Sequence, residues 1–278
     1  MGGLRHIAKI SLGIAAEAAL PWLPRQVAGQ DSAGGAALLR RLALYSMTHR
    51  AASRRQPDRL EAALQSFWAG DQGNRFHSRH SDERRAHFLT HHAEIVHRLA
   101  DHVAERPGRY RQVVEMGCGD GHALAYAAEH LPAGLQYVGL DINASAIAEA
   151  SARYTKPGVE FQKANAAEWI AADPRPGTIL LTAGGVLEYF SEARVSALFH
   201  TLAVSGDAAA ALIEPLDPAH DIAADPASRS FGREQSFSHP YPTLLGRAGL
   251  DEIWSRELHE GGTRWLLVIA STTTAAGP

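Results

Sequence analysis

Cysteine is almost absent from this chain: the one thiol, Cys118, has no partner with which to close an internal disulfide. A reducing compartment is therefore expected, and the fold must rest on its core. No uncharged apolar run approaches the ~20 residues that a bilayer span requires. Charge of one sign is also missing overall, since 27 Lys and Arg against 30 Asp and Glu leave −3. A chain with that balance is not built as a whole to neutralise nucleic acid. What it does have is a 45% hydrophobic content over 278 residues, enough for one large α/β domain and an appendage.

The even charge balance hides an asymmetry. Residues 1–60 hold nine Lys and Arg against three Asp and Glu, net +6, so the remainder is at −9. The opening stretch "LRHIAKISLGIAAEAALPWLP" mimics a secretory leader, but Glu17 interrupts the apolar run and Pro21 and Pro24 end it. It reads as an amphipathic helix, with Leu4, Ile7, Ile14 and Ala18 roughly on one side. Docking on its own core is the preferred reading, and a peripheral membrane or partner contact the alternative. "AGQDSAGG" (28–35) reads as a break, a helix is expected over 36–53, and Pro57 suits an early helical position. The segment "FWAGDQGNRFHSRH" (67–80) reads as a loop, and a helix is expected from Asp82 to Ala104, closed by Pro107 and Gly108.

From Tyr110 the pattern changes. Short apolar runs, "RQVVEMG", "LQYVGLDI", "VEFQKAN", "TILLTAG" and "AAALIEP", alternate with helical stretches at 121–130, 144–154, 167–172 and 191–203. That alternation predicts βαβ units and a parallel sheet with helices on both faces. After a helix over 241–249, "LDEIWSRELH" and "TRWLLVIAST" flank "EGG" and read as a hairpin, so one strand must run antiparallel.

Within "VVEMGCGDGHAL", Gly117, Gly119 and Gly121 alternate behind the acid Glu115. A phosphate-binding P-loop requires Lys and Ser or Thr after its last glycine, and here the chain reads "GDGHAL". The dinucleotide fingerprint needs glycine at position 122, where His122 stands, and Asp120 would repel a pyrophosphate. S-adenosylmethionine fits better. It has a sulfonium and an ammonium but no phosphate, so an acid near the loop is an asset. Asp141 ends the second apolar run, where its two oxygens suit a pair of ribose hydroxyls.

These segments strongly resemble the class I S-adenosylmethionine-dependent methyltransferases. "VVEMGCGDG" is similar to the family's first motif, "YVGLDIN" to its ribose motif, "VEFQKANAAEW" to the third-strand segment, and "TILLTAGGVLEYF" to the fourth-strand motif. The resemblance covers roughly 110–271. It implies a doubly wound Rossmann-like sheet of seven strands, mostly parallel with one antiparallel strand in the C-terminal hairpin, behind a helical N-terminal extension. The implied division is an arm and active-site cover over 1–108 and a cofactor-binding domain over 109–278. The implied cofactor contacts are Glu115, Gly117, Cys118, Gly119, Gly121, Asp141, Ile142, Asn165, Ala166 and Ala183. Asn165 stands where the family often has Asp, its amide oxygen accepting from the adenine amino group. "FWAGDQGNRFHSR" resembles a segment ahead of the core in methyltransferases of acidic-sugar biosynthesis, with Phe76 packing and Arg79 on the cofactor carboxylate.

Methyl transfer is an in-line displacement, and an oxygen acceptor usually needs a base or a metal to remove its proton. His239 is the first candidate base, with Glu188 and Tyr189 beside the fourth strand. Glu214, Asp217 and His220 lie in "IEPLDPAHD", which could form a lid, and Tyr241 follows His239. Seven of fifteen histidines lie between His77 and His102, and His87, His91 and Glu94 share a helical face. "HFLTH" lacks the glutamate of H-E-x-x-H, so no metal is expected. The expectation is a cytoplasmic enzyme methylating an oxygen or nitrogen of a small metabolite such as a sugar, nucleoside or secondary-metabolite intermediate. No nucleic-acid partner is expected, and a homodimer is left open. RNA methylation and a non-catalytic binding or assembly role are the alternatives.

Overall fold

The structure is a computed structural model and describes residue 12 and residues 57–70, 81–232, 236–260 and 262–273. The expected helices over 1–53, and Phe76 and Arg79, lie outside the described residues. The chain divides into two compact units, one of 1–76 with 230–236, the other of 77–229 with 237–278.

In the first unit, helix α1 (Pro57–Ala69) starts on its proline as expected. It runs further than the sequence reading allowed, taking in Phe67 and Trp68. The apolar spacing of Leu64 and Trp68 continues the helical period, and the helix stops only at Gly70.

The second unit is built on strands β1 (Gln112–Met116), β2 (Gln136–Asp141), β3 (Val159–Lys163), β4 (Thr178–Ala183) and β5 (Ala208–Leu216). Two three-residue strands, β6 (Arg229–Phe231) and β7 (Ser236–Ser238), fall at the two bounds of the 230–236 segment, and the second unit ends in the hairpin of β8 (Leu250–Glu260) and β9 (Thr263–Thr272). Among the described residues seven strands form one sheet in the order β3-β2-β1-β4-β5-β9-β8. The first five are parallel, and β9 runs antiparallel to both β5 and β8. The hairpin expected from "EGG" is therefore present, with β9 as the reversed strand.

Burial explains the strand sequences. β1 and β5 are buried along their whole length and are mainly apolar, as two covered faces require, with Gln112, Glu115 and Glu214 the buried polar exceptions. The edge strands β3 and β8 are largely exposed and correspondingly polar. One face is covered by α5 (Ala166–Ala172), α6 (Glu192–Val204) and α7 (Tyr241–Ala248), through Ile170, Leu198, Phe199 and Leu245. The other is covered by α2 (Glu94–Ala104) and α3 (His122–His130), through Ile95, Leu99, Leu124 and Ala127. Helix α4 (Ala144–Arg153) lies against β2 and β3.

The helix expected over 82–104 is interrupted. Helical turns over 81–87 pass into a π-helical turn, Phe88–His92, closed by Ala93 N–H donating to Phe88 O at 2.8 Å, and only then into α2. The turn buries Phe88 against the rings of His122 and Tyr126, and His92 against Trp265. Among the described residues no helix is long and apolar enough to cross a membrane.

Candidate functional site

Strand order reverses between β1 and β4, and in an open parallel sheet ligands gather beyond the strand ends at that point. The loop leaving β1 is shaped by three glycines in the left-handed region, Gly117 at φ 67°, Gly119 at 52° and Gly121 at 80°. A β-carbon on Gly117 would lie 2.7 Å from the Val186 side chain, and one on Gly121 2.7 Å from the Phe161 ring. Bare backbone is thus required both by conformation and by the closeness of the loop after β4. The N–H groups of Gly117 and Cys118 donate to Leu140 O, which holds the loop against the end of β2. Cys118 itself is buried, and burial pushes its thiol well up, so it is a packing residue here.

Asp141 ends β2 beside this loop. One carboxylate oxygen accepts from Gly119 N–H at 2.9 Å and the other from Asn143 N–H at 2.8 Å. The acid expected at the ribose therefore also fixes the glycine loop, and Ile142 follows it half-buried. Glu115 lies deeper than the sequence suggested, at 1% exposure. Burial first, and then the charge of Asp120, push its carboxyl well up, which favours the neutral acid, and Oε2 makes no hydrogen bond. An ammonium donor reaching it would stabilise the charged form and give Oε2 a partner. The glycine cradle and the two acids fit a cationic nucleoside, and no Lys or Arg stands among loop residues 117–122 to hold phosphate.

Asp120, read from the sequence only as a group that would repel a pyrophosphate, has side-chain partners of its own. Its burial opposes ionisation, but His122, Ser81 and Arg84 outweigh it and hold the carboxyl well below the usual range. His122 Nδ1 lies 2.6 Å away, the Ser81 hydroxyl donates to Oδ2, and Arg153 Nη1 is at 3.5 Å. The start of the 81–104 helical segment is thereby tied to the glycine loop. Ser81 and Arg84 are one helical turn apart, which was a readable signal (i, i+3) once the helix was placed.

Asn165 has a structural role that its position did not suggest. Its Oδ1 accepts from Ala167 N–H at 3.1 Å and Glu168 N–H at 3.4 Å, capping α5 just before Ala166. The amide oxygen expected on adenine is engaged by the backbone. Ala183 closes β4, half-buried, where the expected acceptor side begins.

Glu188 and Tyr189 sit in a 3₁₀ turn, Leu187–Tyr189, directly after β4. That turn is fixed by Glu214 at the end of β5. Glu214 accepts from Val186 N–H at 3.0 Å and Leu187 N–H at 3.1 Å, while Tyr241 donates its hydroxyl at 3.4 Å. Burial raises the Glu214 carboxyl to about 7. His239 is fully buried, and burial lowers its imidazole to about 4. Its Nε2 faces the carbonyls of Phe190 at 3.0 Å and Leu187 at 3.2 Å, so it carries the proton. Nδ1 then accepts from Ser228 Oγ at 2.6 Å. In this arrangement His239 bridges the turn after β4 to the 217–228 loop, and any base role would have to pass through Ser228. That loop is pinned by His220, whose Nδ1 and Nε2 meet Ser238 Oγ at 2.8 Å and Asp225 O at 3.1 Å.

A family model described as a methyltransferase domain matches residues 113–204. The trans-aconitate 2-methyltransferases of Acidovorax sp. (strain JS42) and Acidovorax ebreus (strain TPSY) are each 34% identical over 128 residues, 45% of this chain and 47% of theirs. The chain thus spans about half the length of these relatives. Magnesium protoporphyrin IX methyltransferase from Synechocystis PCC 6803, solved with bound S-adenosylmethionine, has a similar fold at a TM-score of 0.55. It is 15% identical, over 77% of this chain and 97% of that one. Residues 113–204 thus match a methyltransferase domain, and the strand order and the phosphate-free glycine loop agree with that match.

Proposed function

We propose that this protein transfers a methyl group from S-adenosylmethionine to an oxygen or nitrogen of a small metabolite. The observation that carries the reading is the loop after β1: three left-handed glycines, Asp141 bonded to the Gly119 N–H, and buried Glu115 with an unpartnered oxygen. The sulfonium is an activated donor, so alignment with the acceptor supplies much of the acceleration.

The acceptor side supports an oxygen that arrives already ionised. His239 and Glu214 are both buried and hydrogen-bonded to the backbone of the turn after β4, which suits them to shaping that turn. An acceptor carboxylate needs no base, because its nucleophilic oxygen has no proton to lose. The partial likeness to enzymes named for trans-aconitate, a small carboxylic acid, points the same way. Incubation with S-adenosylmethionine and panels of small carboxylic acids, sugars, nucleosides and RNA, read by mass spectrometry for a gain of about 14 Da, tests this. A modified small acid is the expected product, and a modified RNA with unmodified metabolites would overturn the reading.

A further inference from the structure

We propose that His87, His91 and Glu260 form a binding site for a borderline divalent cation, with zinc as its fitting occupant. One donor atom from each of these side chains lies within 4.8 Å of the other two. His91 Nδ1 is 2.5 Å from one Glu260 oxygen and His87 Nε2 is 3.8 Å from the other. A tetrahedral zinc with bonds near 2.0–2.1 Å sets its donors about 3.3 Å apart. These two separations, each to a different Glu260 oxygen, fall on either side of that value, and all three donors lie within 4.8 Å of one another.

The site is assembled by the fold. His87 and His91 are four residues apart where the helix passes into its π-helical turn, a feature that often marks functional positions. Glu94, which the sequence alone placed beside them, pairs with Arg98 and Arg256. The carboxylate comes instead from Glu260, at the end of β8 and remote in sequence. One observation favours a ligand over a hydrogen-bonded surface cluster. Glu260 Oε2 is shielded from solvent yet makes no hydrogen bond.

Two imidazoles and a carboxylate select zinc, nickel or copper over magnesium or calcium. Three protein ligands leave a fourth position for water or an anionic oxygen. β8 runs parallel to β5, so Glu260 lies on the sheet edge where β1, β4 and β5 end. A bound ion would clasp the π-helical turn to the hairpin on that edge.

The experiment is calorimetric titration of Zn²⁺ into the chelator-treated full chain, repeated on His91→Ala, Glu260→Gln and, as a control on exposed histidines outside the cluster, His130→Ala. One-to-one binding that weakens by about tenfold or more in each of the first two variants, and stays unchanged in the control, is expected. Absorption of bound Co²⁺ should show nitrogen coordination and be lost in His91→Ala. Circular dichroism checks that each half-exposed substitution leaves the fold intact. Absence of stoichiometric binding, or binding that ignores both His91 and Glu260, would overturn the site. Methyl-transfer activity is not the readout, so the two proposals stand or fall separately.

Discussion

At Gly121 the backbone sits at φ 80°, and a β-carbon would meet Phe161 at 2.7 Å and Ala150 at 3.1 Å. Gly121→Ala should therefore destabilise the fold by about 1–3 kcal/mol from the left-handed backbone, with the ring clash added. Combining it with Phe161→Leu should recover the clash but not the backbone strain, as urea unfolding of the four-member cycle would show. Strict additivity would refute the contact. Asp141 makes a separate prediction. Its carboxylate positions Gly119 and Asn143 and is the acid proposed for the ribose. Asp141→Ala should weaken S-adenosylhomocysteine binding by about tenfold to a hundredfold, the worth of a charge-assisted bond. An unchanged affinity by calorimetry would remove the assignment.

Among elements, the turn after β4 depends on a carboxyl that the fold holds near 7, against an ordinary value of 4.5. The native state then keeps the Glu214 proton to higher pH than the unfolded chain does. Stability from this group is complete below about pH 4.5 and is lost as pH rises through about 7. The amount is of order 3 kcal/mol. Glu214→Gln keeps an acceptor for the turn but cannot titrate, so its stability should fall less than the wild type's across that window. Parallel stability curves would show that Glu214 does not titrate there. The same scale shows what could be read in advance. The five parallel strands and the hairpin were legible because buried strands must be apolar and a glycine turn must join the last two. The π-helical turn was not, because Phe88 and His92 keep the i, i+4 spacing of an ordinary helix. Only the packing of Phe88 on His122 and of His92 on Trp265 marks the extra residue.

Over the whole molecule, the glycine loop and the acids beside it were legible, and the hydrogen bonds that fix the turn after β4 were not. Glycines with positive φ and strand-terminal acids leave a local trace in sequence. The jobs of Asn165 and His239 depend on hydrogen bonds to the backbone, and for His239 those carbonyls, Leu187 and Phe190, lie some fifty residues away. Glu260 likewise joins His87 and His91 only through the sheet. The central claim is that a sulfonium nucleoside rests on the β1 loop. Its most direct test is calorimetry of the full chain against S-adenosylhomocysteine, NAD and ATP in turn. The account predicts one-to-one binding of S-adenosylhomocysteine and none of comparable strength for the phosphate-bearing ligands. Tight uptake of NAD or ATP with indifference to S-adenosylhomocysteine would contradict it.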